Sequence, residues 1–295
     1  CDIHHNHMGI MSNGHLPDGG MNQVIEFCII HENGDFDQPG YNHNLYLGGT
    51  SVTLRGCEVY GSLTGHNVKS RAHFNWIEYC CIHDSANREF DLVDSDETAA
   101  PGSHAILLGN IIVKDPQCKG NRAVIHFGQD GGKEHDGILA LVHNTILTPF
   151  ISPVVDLSAG KAKALLLGNL IDSGGVRQNG QVISQFRNGA ANDAATGSNN
   201  WFAAGFNQGL PAGRDNRSGA PGQRLPFANL QQYDYRLARP VDGITAAGME
   251  ANRLQLPPIP GGTAVKDPLH RQYRHPAGII ERTWRGNRPD VGACQ

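Results

Sequence analysis

Seven positions of this chain carry one phrase: an apolar residue, two variable positions, Cys or Asn, and an apolar residue two further on. The Cys/Asn positions are Cys1, Cys28, Cys57, Cys80, Asn110, Asn144 and Asn169, spaced 23 to 34 residues apart, with a weaker eighth copy at Asn200 in "SNNWF". A period of this size marks a solenoid, because one short unit cannot bury its own apolar face and must stack on the next.

The side chains say which kind of coil repeats. Phrases such as "VIEFCIIHEN", "WIEYCCIHDS" and "LLGNLIDSG" are short, rich in Ile, Val, Leu and aromatics, and punctuated by Gly, Asn and Asp, which reads as strand and turn. Ile3, Ile30, Val59, Ile82, Ile112, Ile146 and Ile171 each follow a Cys or Asn by two, so both positions share the buried face. No amphipathic helical stretch separates the strands. The expected fold is all-β, a single-stranded right-handed parallel β-helix over 1–205, with 206–295 as a Pro/Gly-rich segment packing along or capping it. An inward Asn at a bend bonds turn backbone and its neighbours above and below. Cys thiols stacked about 4.8 Å apart with parallel Cβ vectors are poorly placed for disulfides. Cys81, Cys118 and Cys294 lie outside that ladder and leave a disulfide open.

Composition narrows the function classes. A net charge of −4 without a basic cluster gives no reason to expect nucleic acid, and no apolar run is long enough to span a membrane. The chain starts inside a repeat at Cys1, so at least one further coil and any signal peptide are expected to precede it.

With the repeat as a ruler, the preceding strands align as "HNLYLGG", "HNVKSRA", "EFDLVDS", "VIHFGQD" and "VVDLSAG". Period 2 turns Leu45, Val68, Phe90, Ile125 and Val155 inward, and places Tyr46, Lys69, Asp91, His126 and Asp156 in one outward column. Arg71 is expected beside Lys69, Glu89 beside Asp91, and His43 stacked with His66; Arg88 falls outside the column. This composition suits a groove for an acidic polysaccharide. Cleaving a uronide by β-elimination needs a cation on the carboxylate, a base for the C5 proton and an acid for the leaving oxygen. Lys69 or His126 fits the base, Tyr46 the acid and Arg71 the carboxylate clamp. His43, His66, Asp91 and Asp156 are substrate-binding candidates, and Glu89 with Asp91 a candidate Ca²⁺ site. The alternatives are a surface protein that binds glycan without cleaving it, and a glycoside hydrolase using Glu89 and Asp91 as its carboxylate pair.

Two resemblances bear on this. "YDYRLARPVDGITAAG" and the terminal "RPDVGACQ" resemble the closing phrases of secreted bacterial β-helix proteins, which implies export to the cell surface or beyond. "HNVKSRA" resembles the segment bearing the catalytic Lys in chondroitinase B-like and alginate lyases, which implies that Lys69 is catalytic. With "NRAVIHFGQDGG" it also resembles a broad group of bacterial right-handed β-helix repeat proteins.

Other constellations read as weaker. His4, His31, Tyr60 and His83 form a second outward column, where adjacent imidazoles can bind Zn²⁺ or Cu²⁺ but solvated stacking is favoured. Asp94, Asp96 and Glu97 read as a solvated acidic turn, "HNHMGIMSNGH" as a His-rich first coil, and "GQDGGKEHDG" as a Gly-rich loop without the context of a phosphate cradle.

Overall fold

The computed structural model describes residues 1–12, 21–250, 253–259 and 269–294; His15 of the His-rich stretch and the Glu97 side chain lie outside them. Among the described residues, three long parallel sheets of nine, seven and seven strands stack into a β-helix. The ladder sheet runs Asp2–His4, Ile29–His31, Glu58–Tyr60, Cys81–His83, Ile111–Val113, Thr145–Leu147, Leu170–Asp172, Trp201–Phe202 and Arg217–Ser218. The column sheet runs Ile10–Met11, Leu45–Leu47, Val68–Ser70, Phe90–Val93, Ile125–Gly128, Val155–Ser158 and Ser184–Phe186. A third sheet, from Asn22–Glu26 to Ala195–Ser198, closes each coil.

Like stacks on like inside. Ile30, Val59, Ile82, Ile112, Ile146 and Ile171 pair in register and are fully buried in one core. Each contributes about 1.5–3 kcal/mol through its burial.

Beside this core the polar ladder satisfies the backbone at the bends. Cys57 N–H donates to Cys80 Sγ at 3.4 Å and Cys80 N–H to Asn110 Oδ1 at 2.9 Å. Amide bonds of 3.1, 3.0, 3.0 and 2.9 Å then link Asn110, Asn144, Asn169, Asn200 and Asn216. All seven cysteines are free thiols. The stacked strands thus run past residue 205, the expected end, to Arg217–Ser218. Both residues of that last strand are exposed, so it lacks the apolar signature that marks the others. Asn144→Ala removes donors and acceptors that bond Asn110, Leu107 and Asn169. It is expected to destabilise the chain by about 2–3 kcal/mol, measured by denaturant unfolding, through the groups it leaves unpaired.

Among the described residues, the extension reaches the main core through Leu225, Leu237, Ile244 and Val291 and packs outside two of the three sheets. It forms antiparallel hairpins, Phe227–Asn229 with Asp234–Leu237 and Arg271–Arg274 with Gly278–Glu281. Tyr235, Tyr273 and Cys294 bury against Cys81, Ile111 and Leu147 outside the ladder sheet. Met249 and Leu269 bury against Trp76, Ile106 and Val142 outside the third sheet. Neither cluster includes a residue of the column sheet.

Candidate functional site

The outward column of the column sheet pairs Met11, Tyr46, Lys69, Asp91, His126, Asp156 and Gln185, each opposite the next. Alternation turns Leu45, Val68, Phe90, Ile125 and Val155 into the core, which leaves the ionisable groups on the other side. What happens there is convergence on one carboxylate.

Asp91 is that hub. Its Oδ2 lies 2.9 Å from Lys69 Nζ and 3.3 Å from His66 Nε2, and its Oδ1 lies 2.7 Å from Arg88 Nη1 and 2.8 Å from His126 Nδ1. Burial alone would raise this carboxyl, but His66, His126 and Lys69 outweigh burial and hold it well below the ordinary carboxylate range. Behind the hub, His66 Nδ1 accepts the Arg88 N–H at 3.1 Å and His43 Nδ1 accepts the His66 N–H at 2.9 Å. Acceptance at Nδ1 puts the proton of each neutral ring on Nε2, which for His66 points at Asp91. Burial depresses His43 to about 3 and His66 to about 4, so both rings are neutral near pH 7.

His126 Nε2 also lies 2.6 Å from Ser158 Oγ, completing a hydroxyl–imidazole–carboxylate chain with Asp91. Ser158 is fully buried and its Oγ accepts the Gln129 N–H at 2.9 Å. The chain therefore seats the loop after Ile125–Gly128 and presents no nucleophile to solvent.

The accessible rim is smaller. Asp130, on that loop, places Oδ2 2.8 Å from Lys69 Nζ and 2.7 Å from Arg71 Nη2. Arg71 Nε donates to the Tyr46 hydroxyl at 2.9 Å, and Lys69 Nζ lies 5.8 Å from the Tyr46 ring centre. The side chains of Arg71 and Asp130 are 27% and 39% exposed and that of Lys69 is 9%, so solvent meets this group mainly through Arg71, Asp130 and Tyr46. Burial would lower Lys69, but Asp91 and Asp130 outweigh it and raise the ammonium above its usual value. Asp94 anchors the loop by accepting the N–H groups of Asp130, Gly131 and Lys133 at 2.5, 2.8 and 2.6 Å. It is buried, not solvated as its acidic turn suggests.

Several expected roles are revised by this placement. Lys69 is held as a cation and His126 has both ring nitrogens occupied, so neither is set to abstract a substrate proton. His43, His66 and Asp91 are interior supports. Asp156 is also buried, clamped by Arg187 through a 2.8 Å bond from Nε and a second from Nη2. Glu89 leaves the column altogether. The chain bends before Phe90, so its carboxylate turns inward to Asn67 Nδ2 at 2.6 Å, Ser85 N at 3.1 Å and the buried Lys114 Nζ at 3.3 Å. It ends a second amide ladder through Asn6, Asn33, Asn44 and Asn67. Burial raises Glu89 despite Lys114. Glu89 and Asp91 therefore fit neither a Ca²⁺ site nor a glycosidase pair, since one faces the interior and both oxygens of the other already meet two donors each.

Sequence reasoning missed Arg88, Asp130 and Ser158. Ser158 pairs with Gly128 in the sheet, so the alignment that placed the column reaches it one step further on. Arg88 and Asp130 arrive from a bend and a loop, where alternation gives no direction. No protein-family model, curated protein or solved structure matches this chain.

Proposed function

We propose that this protein acts on an acidic polysaccharide outside the cell, as a lyase whose rim is Arg71, Lys69 and Tyr46. The observation that carries this reading is the Asp130 carboxylate bridging Lys69 and Arg71 beside the Tyr46 hydroxyl. One carboxylate fits between these two cations, and a uronate carboxylate presents the same group. Asp130 is exposed while its backbone is held by Asp94, so rotation of its side chain frees the cations without moving the loop.

In this reading Arg71 and Lys69 neutralise the uronate, which makes the C5 proton easier to remove. Tyr46 carries that proton from C5 to the departing glycosidic oxygen as the C4–O bond breaks and the C4–C5 double bond forms. Neither Lys69 nor His126 is asked to act as the base. Among the described residues the extension packs outside the other two sheets, and the likeness of the closing phrases to secreted β-helix proteins supports export.

The purified chain is expected to generate unsaturated, ultraviolet-absorbing ends from one of alginate, chondroitin, pectate or a heparinoid. Tyr46→Phe should lower turnover about 10²–10⁴-fold, the range for a positioned proton-transfer group. Asp130→Asn should tighten substrate binding by removing the competing carboxylate. Retention of glycan without any unsaturated product would reduce the site to a binding groove; neither retention nor product would remove the reading entirely.

A further inference from the structure

The outer face of the ladder sheet carries a second cluster, on a different sheet from the rim just described. On Cys81–His83, alternation turns Ile82 into the core and leaves Cys81 and His83 outward, and Glu58 on the neighbouring strand pairs directly with Cys81. One donor atom from each of Glu58, Cys81 and His83 lies within 4.8 Å of the others. All three side chains are buried, with Tyr235 and Tyr273 of the extension packed against Cys81 and the Tyr233 ring 5.0 Å from that of His83.

The geometry is that of ligands around an ion. His83 Nε2 lies 3.4 Å from Glu58 Oε1. Metal–ligand lengths of about 2.1 Å at tetrahedral angles give a nitrogen–oxygen edge of about 3.4 Å, which the His83–Glu58 edge matches. The other ring nitrogen, Nδ1, is held by Asp84 Oδ2 at 2.9 Å. A carboxylate on the far nitrogen fixes the tautomer that leaves the near one free to coordinate. His275, from the turn of the hairpin Arg271–Arg274 and Gly278–Glu281, brings Nδ1 to the same Glu58 oxygen at 3.2 Å.

We propose that Glu58, Cys81 and His83 bind Zn²⁺, with Asp84 and His275 orienting the ligands and water in the fourth position. A thiolate, an imidazole and a carboxylate suit zinc and do not suit Ca²⁺ or Mg²⁺, which take oxygen ligands. The ion binds the coils and, through His275, ties the extension to them. Of the stacked rings of His4, His31, Tyr60 and His83 only His83 is a ligand, and the other two ligands come from its own strand and the neighbouring one.

The test uses the full chain, stripped by chelator under reducing conditions and titrated with Zn²⁺ or Co²⁺. The expected results are one tightly held equivalent of zinc, a rise in Tm with it, and a thiolate-to-cobalt charge-transfer band that Cys81→Ser abolishes. Asp84→Asn should weaken zinc binding about 10- to 100-fold, as loss of a carboxylate behind a ligating His does. The Asp84 and His275 side chains are 52% and 38% exposed, so Asp84→Asn and His275→Ala keep the test open if Cys81→Ser fails to fold. A cobalt complex without a thiolate band, binding indifferent to Cys81→Ser and Asp84→Asn, or binding lost only with His4 and His31, overturns the proposal. So does no binding of either metal, which leaves His83 in an ion pair with Glu58 and Asp84.

Discussion

Asp91→Asn is expected to destabilise the fold by about 3–5 kcal/mol, the cost of breaking a buried charge pair from one side. The substitution keeps the shape of the side chain but removes the charge that Lys69 and Arg88 face at 2.9 and 2.7 Å in a site closed to solvent. Lys69 retains Asp130, whereas Arg88, His66 and His126 are left with a single neutral amide oxygen, and the partners of the other oxygen face an amide NH2. For a chain of this size that corresponds to roughly 2–4 °C of Tm per kcal/mol. A double-mutant cycle with Lys69→Met separates the charge term from the rest, because removing both partners should cost less than the sum of the single changes. Asp130 keeps Arg71 in the double variant, so no new orphan is created there. A loss below about 1 kcal/mol for Asp91→Asn, the range of exposed pairs, would mean that Asp91 is not the hub of a closed network.

Such a network was half legible in the sequence. The pairing of Tyr46, Lys69, Asp91, His126 and Asp156 follows from aligning strands whose inward residues are apolar, since the side-chain period of a strand is two and the Cys/Asn ladder sets the coil. Its electrostatics do not follow. Arg88 sits at the bend before Phe90, where the period no longer holds, and its long side chain returns to Asp91. Glu89, at the same bend, turns inward for the same reason. Asp130 meets Lys69 across 61 residues of chain through a loop whose path depends on Asp94. The burial of the column was illegible too, because an aligned strand shows which side a residue faces but not what folds back over it. That burial is why most of the column supports the rim instead of touching a ligand.

Burial also controls how the fold responds to acid. Burial depresses four histidines, His43 and His143 to about 3 and His66 and His135 to about 4, against an unfolded value near 6.5. Above about pH 6.5 these four rings are neutral in both states and take nothing from stability. As pH falls from about 6.5 to about 4 the unfolded chain takes up protons that the folded chain does not, so each ring withdraws up to about 1.4 kcal/mol per pH unit. The four together amount to about 5 kcal/mol per unit, comparable with the whole stability of many domains. Asp91, whose folded value is depressed, adds its own loss only once pH falls below the unfolded carboxylate value, about 4. The chain is therefore expected to unfold in mild acid, above the pH at which its ordinary carboxylates titrate. Asp172, whose buried carboxyl is pushed up to about 6, takes up a proton in the folded chain over the same range and offsets about one of the protons due to the histidines. Denaturant unfolding at a series of pH values measures the balance directly: the slope of ΔG near about pH 5 should correspond to between two and three protons, about 3–4 kcal/mol per unit. His143→Leu, at a fully buried position, should remove about one proton from that slope. A slope below about one proton would show that these rings are protonated in the folded protein, and the neutral His43 and His66 behind Asp91 would have to be redrawn as charged.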